Sequence, residues 1–294
     1  MALQIKHDSP FKQIKELAIL GRKIIFIPNQ GNLGDALICA AAVQGFEKAG
    51  VCYSVFSSVS AHDSNFVYVY GGGGNLVPYY NNCANVLREL SSAGAEVISL
   101  PLSCHGPAAT EVISTFRGNL SVWARERASL EFLSLLPGMF SCGLGHDLAL
   151  NLDLTDDRLH QFLLFDKLAG LAGVGTGELV AFRGDCEAKI GRVFDANSNI
   201  DISNNFGHNS KDTLGFGTSY LDITSLFNTV SWFLSYIKLS GTVRTDRLHV
   251  AIGALLLRKK VFLSDNSYGK NKAIYDHSLR ERFGDLIVPS WSKQ

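Results

Sequence analysis

The chain has 294 residues, enough for about two domains of ordinary size and for a sizeable core without disulfide or metal staples. Lys plus Arg number 27 and Asp plus Glu 27, so the formal net charge is zero, with 18% of residues charged and 46% hydrophobic. That balance excludes a disordered chain, which would be charged and poor in apolar residues, and a generic nucleic-acid binder, which carries a basic excess.

Six cysteines, Cys39, Cys52, Cys83, Cys104, Cys142 and Cys186, are scattered without a CxxC pair. They form neither a disulfide framework nor a zinc spacing and read as free, buried thiols in a reducing compartment. Charged residues from Lys6 to Lys23 interrupt the N-terminus, so no signal-peptide core is expected there. The longest apolar stretch, Leu248–Leu257, carries His249 and is far short of the roughly 20 residues of a membrane span. A cytoplasmic protein is expected, with peripheral contact to the inner face of the membrane left open.

Short β-branched runs alternate with helical periods along the chain. Lys23–Pro28 reads as a strand, then a Gly/Asn loop, then an apolar helix over Gly34–Ala49. Val51–Ser57 and Phe66–Tyr70 are further strands, and Asn81–Ala93 a helix with Val86, Leu87 and Leu90 on one face. Glu96–Pro101 and Leu120–Ala124 are strands, separated by a helix over Ala108–Phe116 and followed by another over Arg127–Leu136. Asn151–Gly177 is the expected junction. Beyond it the pattern predicts strands at Glu178–Phe182, Gly241–Thr245 and Lys260–Leu263. Helices are predicted over Thr224–Leu239, Arg247–Arg258 and Asn271–Leu279, the second apolar nearly all round and therefore buried. Such alternation predicts α/β architecture with parallel sheets covered on both faces. The expected division is 1–150 and 151–294, two Rossmann-like lobes facing a cleft.

Gly31-Asn32-Leu33-Gly34-Asp35 sits where the first strand hands over to a helix. Glycines permit close ligand approach there, and the helix start offers free N–H donors. Asp35 either acts on a ligand or simply complements the helix dipole. The segment departs from GxGxxG, so a nicotinamide dinucleotide is not indicated. Gly71–Gly74 with Asn75 follow a buried strand. Either the backbone needs close ligand approach, which we favour at the carboxyl edge of an open sheet, or another strand packs tightly.

Arg125 ends the Leu120–Ala124 strand and Arg183 ends the Glu178–Phe182 strand. Each is suited to bidentate binding of carboxylate or phosphate, or to pairing with local acids: Glu126 for the first, Asp185 and Glu187 for the second. Thr242–His249 is the most informative stretch. Thr245 or Asp246 can cap the following helix, leaving Arg247, Leu248 and His249 in its first turn. Backbone N–H groups, a guanidinium and an imidazole then converge on one anion-sized spot. Protonated His249 at a helix start would want an anion beside it. Ser264–Asn271 suits a loop lining the same place, or a plain turn. His105 lies at a strand end, and His146-Asp147 could begin the lobe connection. His7, His62, His160, His208 and His277 have no constellation, and no HxxxH or HExxH spacing supports a metal.

GNLGDALI, GGGGN, ARERAS, AFRGDCE and TDRLHVAIGALLLRKKVFLSDNSYGKN, which run from about Gly31 to Leu279 with the helix that follows, resemble the polysaccharide pyruvyl transferase family. The resemblance implies a two-lobed fold of the glycosyltransferase-B type. It implies transfer of the enolpyruvyl unit of phosphoenolpyruvate to a sugar, giving a pyruvate ketal and free phosphate, with no cofactor and no metal. By resemblance Arg247, Leu248 and His249 form the donor-binding and catalytic turn, Arg125 is a second donor-binding arginine, and Asp35 belongs to the acceptor side. The family often has Arg-Asp where this chain has Arg125-Glu126. Arg183 and Arg244 complete the expected donor contacts, for a local positive field beside the small acidic donor. Asn32, Gly34, Gly73, Gly74, Asn75, His105, Asn266 and Lys270 are the expected acceptor or loop contacts. The acceptor expected is a sugar in a polysaccharide or lipid-linked glycan precursor. A nucleotide-sugar glycosyltransferase and a non-catalytic glycan- or anion-binding protein are the rival readings.

Overall fold

The computed structural model describes residues 3–4, 8–56, 63–160, 162, 177–188, 199–205 and 222–293. His7, His62 and His208, and most of the expected junction at 151–177, lie outside them. The chain forms two compact units: Met1–Asn29 with Ala41–Leu148, and Gln30–Ala40 with Ala149–Gln294. Assignment of Gln30–Ala40 to the second unit differs from the sequence expectation.

In the first unit the strands are β1 (Leu3–Gln4), β2 (Lys23–Ile27), β3 (Tyr53–Val55), β4 (Phe66–Tyr70), β5 (Gly73–Leu76), β6 (Glu96–Cys104), β7 (Asn119–Ala124) and β8 (Ser141–Leu144). They pair in parallel in the order β1-β8-β7-β6-β4-β2-β3, with β5 beside β6. The helices are α1 (Pro10–Ile19), α2 (Leu33–Ala49), α3 (Asn82–Ser92), α4 (Pro107–Ser114) and α5 (Arg127–Leu135); α2 passes from the second unit to the first at Ala40–Ala41. Ser9 caps α1 by accepting from the Lys12 amide at 3.2 Å, and Pro10 opens it, where a missing N–H does no harm. The alternation of β7 shows why both sheet faces are covered. Leu120, Val122 and Ala124 join a core with Leu133 and Leu136 of the α5 segment. On the opposite face, Ser121 and Trp123 bond Gln13 of α1 at 2.8 and 3.0 Å.

The glycine run serves packing at its first two positions. A Cβ on Gly71 would stand 2.7 Å from the Asn29 amide, and one on Gly72 2.6 Å from the Pro101 carbonyl oxygen. Gly72 also has φ +78°, open to glycine without steric penalty. Tight strand packing, the alternative to close ligand approach, explains both.

The second unit holds β9 (Glu178–Ala181), β10 (Thr242–Thr245), β11 (Lys260–Leu263) and β12 (Ile287–Pro289), parallel in the order β12-β11-β10-β9. Its further helices are α6 (Ile202–Asn205), α7 (Ile223–Lys238), α8 (Leu248–Leu256), α9 (Lys270–Ile274) and α10 (Arg280–Phe283). Asp222 caps α7 by accepting from the Thr224 and Ser225 amides at 3.2 and 3.0 Å. In α8, Val250 to Leu255 are all buried, as an all-round apolar helix requires. Two details differ from the sequence expectation. The α8 cap is Arg247, in extended conformation, not Thr245 or Asp246. The helix expected over Asn271–Leu279 is α9 followed by a π-helical turn at Tyr275–Leu279. Two parallel sheets with intervening helices make this the α/β protein that the alternation predicts. Among the described residues no helix is long and apolar enough to cross a membrane.

Candidate active site

At the carboxyl ends of β9, β10 and β11 the second unit gathers charge. Arg183, just past β9, donates its amide to Asp246 Oδ1 at 2.8 Å and its Nε to Asp185 Oδ1 at 2.7 Å; its guanidinium also meets Glu187. Arg247, just past β10, donates its amide to Thr245 Oγ1 at 2.9 Å. Its Nε donates to Asp201 Oδ1 at 2.9 Å, and its Nη1 lies 2.7 Å from Asp185 Oδ2. Past β11, Lys270 Nζ donates to Glu187 Oε2 at 2.6 Å, an oxygen that also accepts from Asn266 Nδ2 at 3.1 Å. Asn271 then ties two strand-end loops together, donating to the carbonyls of Asp246 and Ser264 at 2.7 and 2.9 Å. Arg183, Glu187, Asp246, Arg247 and Asn266 are all buried.

Burial pushes the Asp185 carboxyl up, but the Arg183 hydrogen bond and the Arg247 and Arg183 charges outweigh it. The net shift is downward, so its charged form is favoured. Each of these cations has a carboxylate beside it, which offsets the cost of taking its charge out of water.

The N-terminal turn of α2 belongs to the same unit. Asn32 precedes the helix and accepts from the Gly34 amide at 2.8 Å, while Asp35 Oδ2 accepts from the Asn32 amide at 3.0 Å. This reciprocal pair is a capping box, a local role for Asp35 beyond the dipole complement expected from its place in the first turn. His249 lies half-buried in the first turn of α8. Its ring is so close to Gly34 that a Cβ there would stand 2.4 Å from Nδ1. The structure thus brings Asn32, Gly34 and Asp35 to the turn that carries Arg247, Leu248 and His249.

In the first unit Arg125 is 1% exposed. Its Nη1 donates to Asp147 Oδ2 at 2.7 Å and its Nε to Ser103 Oγ at 2.9 Å. Ser103 in turn donates to Glu126 Oε2 at 2.9 Å, and Ser129 donates to the other oxygen. Asn75 Nδ2 donates to Tyr70 Oη at 2.7 Å and to Asn29. The His105 amide donates to the Leu76 carbonyl at 3.1 Å, and Gly73 and Leu76 of β5 run beside β6. Gly74 and His105 are partly exposed there.

The polysaccharide pyruvyl transferase family matches residues 32–268. The chain belongs to that family. Among solved structures it is similar to a functionally uncharacterized protein, KP1_0663, from Klebsiella pneumoniae subsp. pneumoniae NTUH-K2044. The two share 25% sequence identity with a TM-score of 0.73, over 96% of this chain and 99% of that one. No curated protein matches.

For this pyruvyl transferase family member the structure changes three sequence expectations. Arg244, expected among the donor contacts, is exposed one residue before the end of its strand. It is the third residue of β10, on an exposed face, paired with Glu178 at 3.1 Å and set over the Phe262 ring. Strand alternation puts it there, since Val243 and Thr245 are buried. The expected positive field is matched by carboxylates, with Asp147 at Arg125, Asp185 and Glu187 at Arg183, and Asp185 and Asp201 at Arg247. Four cysteines are buried as expected, but Cys52 and Cys186 are exposed. Burial pushes the Cys39 thiol up to about 12, with the Asp35 charge adding to it, which leaves it inert. Asp147 and Asp201 were the partners sequence reasoning missed. They lie 22 and 46 residues from their arginines, beyond any local signal. Among the described residues no cluster of ligating side chains is arranged to hold a metal ion.

Proposed function

We propose that the protein transfers the pyruvyl unit of phosphoenolpyruvate to a sugar of a polysaccharide or lipid-linked glycan precursor, forming a pyruvate ketal. The observation that carries this reading is the gathering of Arg183, Arg247, Lys270 and His249 at one edge of the second unit's sheet. Ligands of open α/β sheets bind at that edge. Phosphoenolpyruvate carries a carboxylate and a phosphate, which call for guanidinium forks and helix N-terminal amides. Arg247 and the α8 start supply both, with Arg183 and Lys270 beside them. Asp185 and Asp201 hold the Arg247 fork, so the donor's acidic groups compete with these two carboxylates for the guanidinium.

In the reaction one sugar hydroxyl adds to C2 of the donor while C3 takes a proton. A second hydroxyl then forms the other C2–O bond as the C2–O bond to phosphate breaks and its electrons leave with the phosphate. The two hydroxyl protons end on C3 and on phosphate. His249 is the group we assign to deliver a proton, and the paired cations stabilise the departing phosphate. Asp35, in the neighbouring turn, is assigned to the acceptor hydroxyl, alongside its capping bond. Arg125, enclosed with Asp147, is left out of the donor set.

The test is phosphate release from phosphoenolpyruvate with candidate acceptors. Arg247→Ala and His249→Ala are each expected to lower turnover by ~100-fold or more. Unchanged turnover in both variants overturns the assignment. Turnover of a nucleotide sugar, with indifference to phosphoenolpyruvate, replaces it with glycosyl transfer.

A further inference from the structure

Gly34 is a helical residue with no conformational need to be glycine. It lies in the first turn of α2 and is absent from the positive-φ glycines. Alanine in a helix is about 1 kcal/mol better than glycine, so local preference argues against the residue found. Space argues for it. A Cβ built at Gly34 would lie 2.4 Å from His249 Nδ1, 2.8 Å from its Cγ and 2.8 Å from its Cβ. A ring can turn away from a clash, but the His249 Cβ is fixed to the α8 backbone. Any side chain at position 34 therefore moves α2, α8 or both.

We propose that Gly34 is a positioning residue for His249, and that the first turn of α2 is the wall against which the imidazole is held for proton transfer. The sequence reading placed Gly34 among acceptor contacts, whereas the geometry puts it behind the acid. The catalytic consequence rests on the pyruvyl-transfer reading above; the contact itself does not. Asn32 and Asp35 hold the wall in place through the capping box. A displacement of about 1 Å at a catalytic group is enough to lower a rate ~100-fold.

Four proteins test this: wild type, Gly34→Ala, His249→Ala and the double variant. Thermal unfolding gives a readout independent of activity. Gly34→Ala is expected to melt ~4–10 °C below wild type, because overpacking strains the site. In the His249→Ala background the same change is expected to be neutral or stabilising, because the obstacle is gone and alanine favours helix. If Gly34→Ala fails to fold alone, recovery of folding in the double variant reads the same coupling. In phosphoenolpyruvate turnover Gly34→Ala is expected to lose kcat ~10–100-fold with KM for the donor nearly unchanged. The double variant is then no slower than His249→Ala. Equal stability changes in both backgrounds overturn the proposal, even if the wild type turns over phosphoenolpyruvate. Coupled stability without any phosphoenolpyruvate turnover supports the contact and overturns the pyruvyl reading instead.

Discussion

Glu126 shows what a single buried carboxylate contributes. Burial pushes its pKa up, and the Asp147 charge adds to that, against the Arg125 charge and the hydrogen bonds from Ser129 and Ser103; the net shift is upward. A carboxyl whose folded pKa exceeds its unfolded value of about 4.3 contributes stability that is complete below that value. The contribution is lost as pH rises through the folded pKa. Glu126→Gln removes the titration while keeping the shape. Its stability relative to wild type is therefore expected to rise between about pH 4 and pH 8. Urea midpoints at pH 4, 6 and 8 check this; a difference constant across the three overturns it. At this scale the site was legible where chemistry is local. The RLH turn and the acids two and four residues beyond Arg183 stand in sequence as they stand in space. Asp147 and Asp201 were not legible, because only the fold brings them to Arg125 and Arg247.

Elements with strong side-chain preference were read from the chain, and those defined by backbone packing were not. Phe66–Tyr70 is a run of β-branched and aromatic residues, which states its own conformation. β5 (GGNL) and β8 (SCGL) carry little such preference; a neighbouring strand makes them strands. Two glycines separate the two effects. Gly21 has φ +85° and nothing within 4 Å of a Cβ, whereas Gly72 has φ +78° and the Pro101 carbonyl oxygen at 2.6 Å. Gly21→Ala is expected to lose only the left-handed backbone penalty, roughly 1–2 kcal/mol. Gly72→Ala adds a backbone collision and is expected to lose roughly 3 kcal/mol or more. Denaturant unfolding of both variants measures the difference. Equal losses would return the glycine run to the close-ligand reading.

At the scale of the whole molecule the zero net charge is repeated locally, cation against carboxylate, so neutrality here is a property of the sites as well as of the sum. The division of the chain is less simple than its length suggests. Gln30–Ala40 groups with Ala149–Gln294, a connection sequence periodicity did not reveal because α2 is buried without a break from Ala36 to Val43. A helical stretch buried on every side does not say which body it completes. Leu33, Leu37 and Ile38 are each 3% exposed or less, and burying side chains of this size is worth roughly 1.5–3 kcal/mol apiece. Together they are on the order of 5 kcal/mol or more, comparable to the whole stability of many domains. The fragment 149–294 lacks them, along with the Gly34 wall behind His249. It is therefore expected not to unfold cooperatively, although it contains all of β9 to β12. Urea unfolding followed by circular dichroism, run beside the full chain, decides the point. A fragment with a sharp transition at the full chain's midpoint would mean that residues 30–40 merely rest on a unit that is already complete.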